Sequence, residues 1–162
     1  MGKIYVRVDD RLIHGQTILS WCPTWGIKEI IAVDDESAKN PTLKSIMAMS
    51  VPSGYTTHIV TTDEAKALLT NESKNNRLVI VKWPVKLREI SGCIKGCELI
   101  QLGNMGKRAD TVHQLTGATG IFFLSKQDVE DIDALTKQGF EVNFQQLPNQ
   151  AKTSWASFRK TI

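Results

Sequence analysis

Two short apolar runs, Ile30 to Val33 and Leu78 to Val81, constrain this chain most. Each is too short for a buried helix and shows no polar alternation, so each reads as a strand buried on both faces. Such strands sit inside parallel sheets whose crossover helices cover both sides. Further strands are predicted near 3–9, 28–34, 55–60, 77–82, 98–102, 119–123 and 140–147. Helical periodicity fills 15–25, 36–50, 62–70, 85–91, 126–138 and a last piece near 150–160. The expectation is an α/β fold: an open, mainly parallel seven-stranded sheet with helices on both faces, formed as one domain over 1–162. A chain of 162 residues is long enough to bury a continuous core without metal or disulfide support.

Composition narrows the partners. Twenty Lys and Arg against 17 Asp and Glu leave a net charge of only +3, and no basic cluster is interleaved with aromatics, so nucleic acid is not an expected partner. No apolar run approaches the roughly 20 residues of a membrane span, and MGKIYVRVDD lacks a signal-peptide apolar core, which places the chain in the cytoplasm. Cys22, Cys93 and Cys97 are an odd set without a histidine at zinc-ligand spacing; they read as reduced structural thiols.

Chemistry concentrates in the first sixteen residues. Ile4, Val6 and Val8 share one face of a first strand, with Tyr5 and Arg7 on the other. Asp9, Asp10 and Arg11 then bring the chain out into a loop that carries His14, Gly15 and Gln16, and Ile18, Leu19, Trp21, Cys22 and Trp25 begin a helix ending near Gly26. His14 therefore lies between a strand end and a helix start, where free backbone amides and the helix dipole favour an anion. Arg11 adds a planar fork of donors suited to phosphate. Gly15 permits close backbone approach. An imidazole partly deprotonated near neutral pH can carry a phosphoryl group covalently, so this segment suggests phosphoryl relay. Periodicity alone leaves another reading open, in which His14 is an ordinary surface or capping residue and Asp9, Asp10 and Arg11 form a solvated turn.

Parallel sheets place ligands outside the C-terminal ends of their strands, which nominates the other loops at that edge. Asp34 and Asp35 orient Arg11 or cap the following helix, capping being favoured. Lys82 stands either as a positive charge beside a phosphate or as a solvated strand-end lysine. Gly103 to Gly106 offer backbone amides to a phosphate or make a tight turn. His58 and His113 read as structural, and Trp21 with Trp25 as packing or interface residues rather than a sugar platform.

The string VRVDDRLIHGQ, followed by a tryptophan-containing helix, resembles the active-site segment of the enzyme IIB component in the mannose/fructose/sorbose family of bacterial phosphotransferase systems. IIAVDDESAKNP, VPSGYTTHIVTTDEA, Lys82 to Pro84, Leu102 to Gly106 and Gly139 to Pro148 continue the likeness in order over nearly the whole chain. The resemblance implies that His14 takes a phosphoryl group, on Nδ1, from a phosphohistidine of a IIA protein or domain. It further implies delivery to a sugar held by membrane IIC/IID components, so that the protein lies peripheral to the membrane through them. In this scheme His14 is nucleophile and carrier, Arg11 the electrostatic clamp, and Asp10 the residue that holds the loop or Arg11. Gly15, Gln16, Gly103 and Lys82 contribute to phosphate binding, and no metal or cofactor is needed.

Trp83 departs from the family pattern, which has a small hydroxyl residue before the proline; it is expected to cost one phosphate donor and to offer an anchor for a partner protein. The Gly103-Asn-Met run has a slight likeness to N-acetylgalactosamine-type members. Contact with IIA should be small and transient, and the apolar strip of helix 15–25 is an alternative homodimer surface. Two rival classes stand beside the relay: an α/β enzyme binding a small phosphorylated ligand, although no G-x-G-x-x-G follows the first strand, and a non-catalytic regulatory interaction module.

Overall fold

The computed structural model describes residues 1–162. Strand β1 (Ile4–Asp9) lies at the centre of a seven-stranded sheet with β2 (Ile27–Val33), β3 (Thr56–Val60), β4 (Asn76–Val81), β5 (Ile100–Asn104), β8 (Val142–Phe144) and β9 (Thr153–Ser154). The order is β3-β2-β4-β1-β5-β8-β9, parallel throughout except for the β8–β9 pair. Helix α1, a π-helical stretch Thr17–Trp21 continued as α-helix Cys22–Trp25, follows β1. The remaining helices are α2 (Asp35–Lys39), α3 (Pro41–Met49), α4 (Thr62–Thr70), α5 (Pro84–Ile90), α6 (Lys126–Lys137) and α7 (Trp155–Arg159).

Both faces of the inner strands are covered, as their apolar runs require. Val6, Val8, Ile31, Val33, Val79 and Val81 point into the larger core, which α4 to α7 close with Leu69, Leu87, Ile132 and Phe158. Ile30, Ala32, Leu78 and Ile80 point the other way, against Ile18 and Cys22 of α1. Each fully buried aliphatic side chain contributes about 1.5–3 kcal/mol, which makes a one-residue slip of any inner strand prohibitive.

The seven strands differ in one member from those expected. The 119–123 run is part of β7 (Gly120–Ser125), which pairs antiparallel with β6 (Thr111–Gly117) in a separate hairpin. The seventh strand of the main sheet is instead the two-residue β9. β6 escaped notice because six of its seven positions carry polar, glycine or half-buried residues, and only the hairpin partner satisfies its backbone. The single helix expected over 36–50 is broken at Asn40, which adopts an extended conformation and accepts hydrogen bonds from the Thr42 and Leu43 amides. Pro41 disfavours a helical residue before it and starts α3. The strand expected over 140–147 is shorter, and the C-terminal helix begins only at Trp155, after β9 has used Thr153 and Ser154.

Candidate active site

β1 delivers its chemistry at the C-terminal edge of the sheet, between β4 and β5, where the strand connections diverge. A tight turn follows: the Asp9 carbonyl accepts from the Leu12 amide at 2.9 Å, and Leu12 takes a left-handed φ of 57°. That conformation costs roughly 1–2 kcal/mol for a residue with a Cβ. Burial of Leu12 and Ile13 in the smaller core opposes the cost and pins the loop. The pinning leaves Arg11 partly exposed and turns His14, Gly15 and Gln16 out to solvent.

The His14 carbonyl accepts from the Ile18 amide, so His14 opens the helix as the sequence suggested. Its Nδ1 accepts from the Gln16 amide at 3.3 Å. A neutral imidazole accepting at Nδ1 carries its proton on Nε2, which leaves the Nδ1 lone pair directed at the first-turn amides.

Beside it, Asp9 is fully buried and is the hub of the site. Its carboxylate accepts from the Arg11 amide (3.0 Å), Arg11 Nε (3.1 Å), Arg11 Nη2 (3.1 Å), Arg7 Nε (3.4 Å) and Thr17 Oγ1 (3.4 Å). Arg7 is buried as well. It donates to the Gln101 side chain and to the carbonyls of Gln145 (3.4 Å) and Gln146 (3.2 Å), and stacks 5.5 Å over the Trp21 ring. Burial pushes its pKa down to about 10, a shift that Asp9 partly offsets, so it stays cationic at neutral pH. One buried carboxylate thus serves both guanidiniums and fixes their relative positions.

The expected site residues divide accordingly. Arg11, His14, Gly15 and Gln16 come together on one loop. Asp10 does not hold Arg11: its carboxylate accepts from Asn104 Nδ2 (2.5 Å) and the Gly106 amide (2.9 Å), tying this loop to the one after β5. The holder of Arg11 is Asp9, one residue earlier. Gly103 faces Arg7, and a Cβ there would collide with the guanidinium carbon, so its lack of a side chain serves the ion-pair network. Lys82 pairs with Asp34 at 3.6 Å, and Asp34 caps α2 through the Ser37 amide. Trp83 is half-buried under Arg108, 4.2 Å from its ring, so one of its faces is closed to a partner. Trp21 and Trp25 pack on one another at 4.6 Å. His58 pairs with Glu29 at 3.3 Å, away from the loop. Sequence reasoning left out Arg7, Asp9, Asn104 and Gln146; the available signal was a charged residue on each side of Val8 in an otherwise apolar strand.

Fold and loop define an α/β protein that carries an exposed histidine at the C-terminal edge of its central strand. The family model of the "PTS system sorbose subfamily IIB component" matches residues 4–161, and the chain belongs to that family. Among similar proteins, the mannose-specific EIIAB component of Escherichia coli K12 is 26% identical over 149 residues, 90% of this chain; the chain spans about 45% of that protein's length. The fructose-specific EIIB component of Bacillus subtilis is 24% identical over all of this chain and 98% of its own length. The IIB domain of the Klebsiella pneumoniae sorbose permease superposes with a TM-score of 0.84 at 20% identity, covering 99% of this chain and 98% of its own. No helix is long and apolar enough to cross a membrane.

Proposed function

We propose that residues 1–162 act as a phosphocarrier IIB subunit, with His14 accepting a phosphoryl group from a phosphohistidine of a IIA protein or domain and passing it to a sugar during IIC/IID-mediated uptake. The observation that carries this reading is the solvent-facing His14 at the start of α1, with the Gln16 amide at its Nδ1 and Arg11 of the same loop held by a buried carboxylate.

In the first step the Gln16 amide gives up its hydrogen bond to Nδ1, the freed lone pair attacks phosphorus in line, a new N–P bond forms, and the donor's N–P bond breaks as its imidazole departs. The metaphosphate-like transition state asks the protein for position and positive potential rather than covalent help. Arg11 supplies charge-assisted donors from the edge that Asp9 leaves free, and the Gln16 amide, already within 3.3 Å of Nδ1, meets a phosphoryl oxygen. In the second step a sugar hydroxyl attacks the phosphorus, the His14 N–P bond breaks, and the hydroxyl proton passes to solvent. The subunit works at the membrane through IIC/IID contacts.

The test is transfer from phosphoenolpyruvate through enzyme I, HPr and a cognate IIA, read by intact mass on the native chain and on His14→Gln. An acid-labile phosphate adduct on the native chain alone is the expected result. Its absence with an active, matched IIA would overturn the relay and return the small-ligand or interaction-module readings.

A further inference from the structure

We propose a second binding site, which no residue of the His14 loop lines and which is independent of the relay reading, for a neutral polyhydroxylated molecule of monosaccharide size. Strand alternation creates it. Ile100, Leu102, Val142 and Phe144 enter the larger core, which sends Gln101, Asn143 and Gln145 to the opposite face of the sheet. Gln101 and Asn143 are register partners across β5 and β8. There they line a cavity of about 200 Å³ with Trp21, Trp25 and Pro148 as walls and Lys152 at its rim.

The amides indicate what fits. Gln101 is 2% exposed, and its Oε1 accepts from Arg7 while its Nε2 finds no acceptor in the chain. Gln145 is 6% exposed, and its Nε2 donates to the Gln150 carbonyl at 2.7 Å and the Pro148 carbonyl at 3.5 Å while its Oε1 finds no donor. The sealed, unpartnered polar atoms of the protein are Arg77 Nε, Arg108 Nε and Asp131 Oδ2, so the free ends of the two glutamines open onto the cavity. Each of these ends takes its hydrogen-bond partner from the cavity rather than from the chain.

The set offered is one amide donor, one amide acceptor and the whole Asn143 amide. Hydroxyl groups, which donate and accept at once, satisfy it. No carboxylate lines the cavity to hold a cation, and the rim lysine is a lone charge rather than a clamp for an anion. The tryptophan walls are already rigid, Trp25 stacking on Tyr5 at 4.8 Å as well as on Trp21, and they give the cavity a fixed apolar side against which the C–H groups of a small polyol can pack. A bridging water takes about 30 Å³, far less than the cavity. Ligand pockets usually run from about 300 Å³ upward, which restricts the occupant to the smallest class.

The test is NMR titration of the full native chain with mannose, fructose, sorbose, galactose and N-acetylgalactosamine, following the Gln101 and Gln145 side-chain amides and the Trp25 indole. Saturable shifts of these signals at millimolar concentration of at least one sugar are expected. Asn143→Leu fills the cavity without removing an internal hydrogen bond, and should weaken binding at least tenfold with unchanged thermal stability. His14→Gln should bind as the native chain does, which keeps this result separate from any failure of the relay. No saturable shift with any sugar, equal binding by Asn143→Leu, shifts confined to the His14 loop, or tighter binding of inorganic phosphate in the same cavity would each overturn the proposal.

Discussion

Asp9 and Arg11 are joined at two points, Nε to Oδ1 and Nη2 to Oδ2, both at 3.1 Å, within the turn that ends β1. The pair is asymmetric in its surroundings. Asp9 is sealed in the protein while a third of the Arg11 side chain reaches solvent, so the carboxylate fixes one edge of the guanidinium and leaves the other for an incoming anion. Arg11→Ala should therefore slow phosphoryl acceptance from phospho-IIA about tenfold to a hundredfold, corresponding to the roughly 1.5–3 kcal/mol of a charged hydrogen bond. Arg11→Lys should recover only part of the rate, because an ammonium cannot reproduce the fork. Stopped-time phosphorylation assays on the two variants, with thermal unfolding as the control for folding, check both statements.

Removal of Asp9 has a different consequence. Arg7 would remain buried without its counter-ion, so Asp9→Ala should destabilise the fold by about 3–5 kcal/mol. Urea unfolding reads the loss. A variant as stable as the native chain would show that Arg7 is compensated by Gln101 and the carbonyls of Gln145 and Gln146 alone.

Gly103→Ala should destabilise by about 1–3 kcal/mol, since the added methyl meets the Arg7 guanidinium in a closed part of the core. The double-mutant cycle with Arg7→Met, which replaces the fork by a flexible chain, should show a coupling clearly different from zero in urea denaturation.

Asp35 provides the pH dependence. The Thr62 amide, donating at 2.7 Å, holds its carboxyl below the ordinary carboxylate range, with Lys86 adding to the effect. A carboxylate with a depressed folded-state pKa stabilises above its unfolded pKa of about 3.9, and the contribution disappears as pH falls through the folded value. Asp35→Ala should thus melt earlier than the native chain at pH 7, with the gap closing progressively below pH of about 4. Melting curves from neutral to acid pH test it.

Cys22 lies on the buried face of α1 in the smaller core, where burial pushes its thiol up to about 12. Alkylation at mildly alkaline pH should leave Cys22 unmodified in the native chain and modify it after denaturation, as peptide mass analysis would show.

The inner strands β1, β2 and β4 were legible because their side chains alternate into two apolar layers, a property carried by neighbouring residues. Helix α4 was legible for a similar reason, its periodicity over 62–70 being carried by neighbouring residues. The hairpin of β6 and β7 was not, since only pairing between the two strands satisfies the backbone of a mostly exposed β6.

The sequence by itself determined the α/β class, the inner strands, and the placing of His14, Gly15 and Gln16 between a strand end and a helix start, because burial periodicity and charge clustering act over a few residues. Only the tertiary structure decided that Arg11 answers to Asp9, that Asp10 reaches Asn104 and Gly106 more than ninety positions away, and that Gly103 makes room for Arg7. Adjacent carboxylates look alike along a chain; which one is buried, and against which cation, follows from strands that meet only when the sheet has formed.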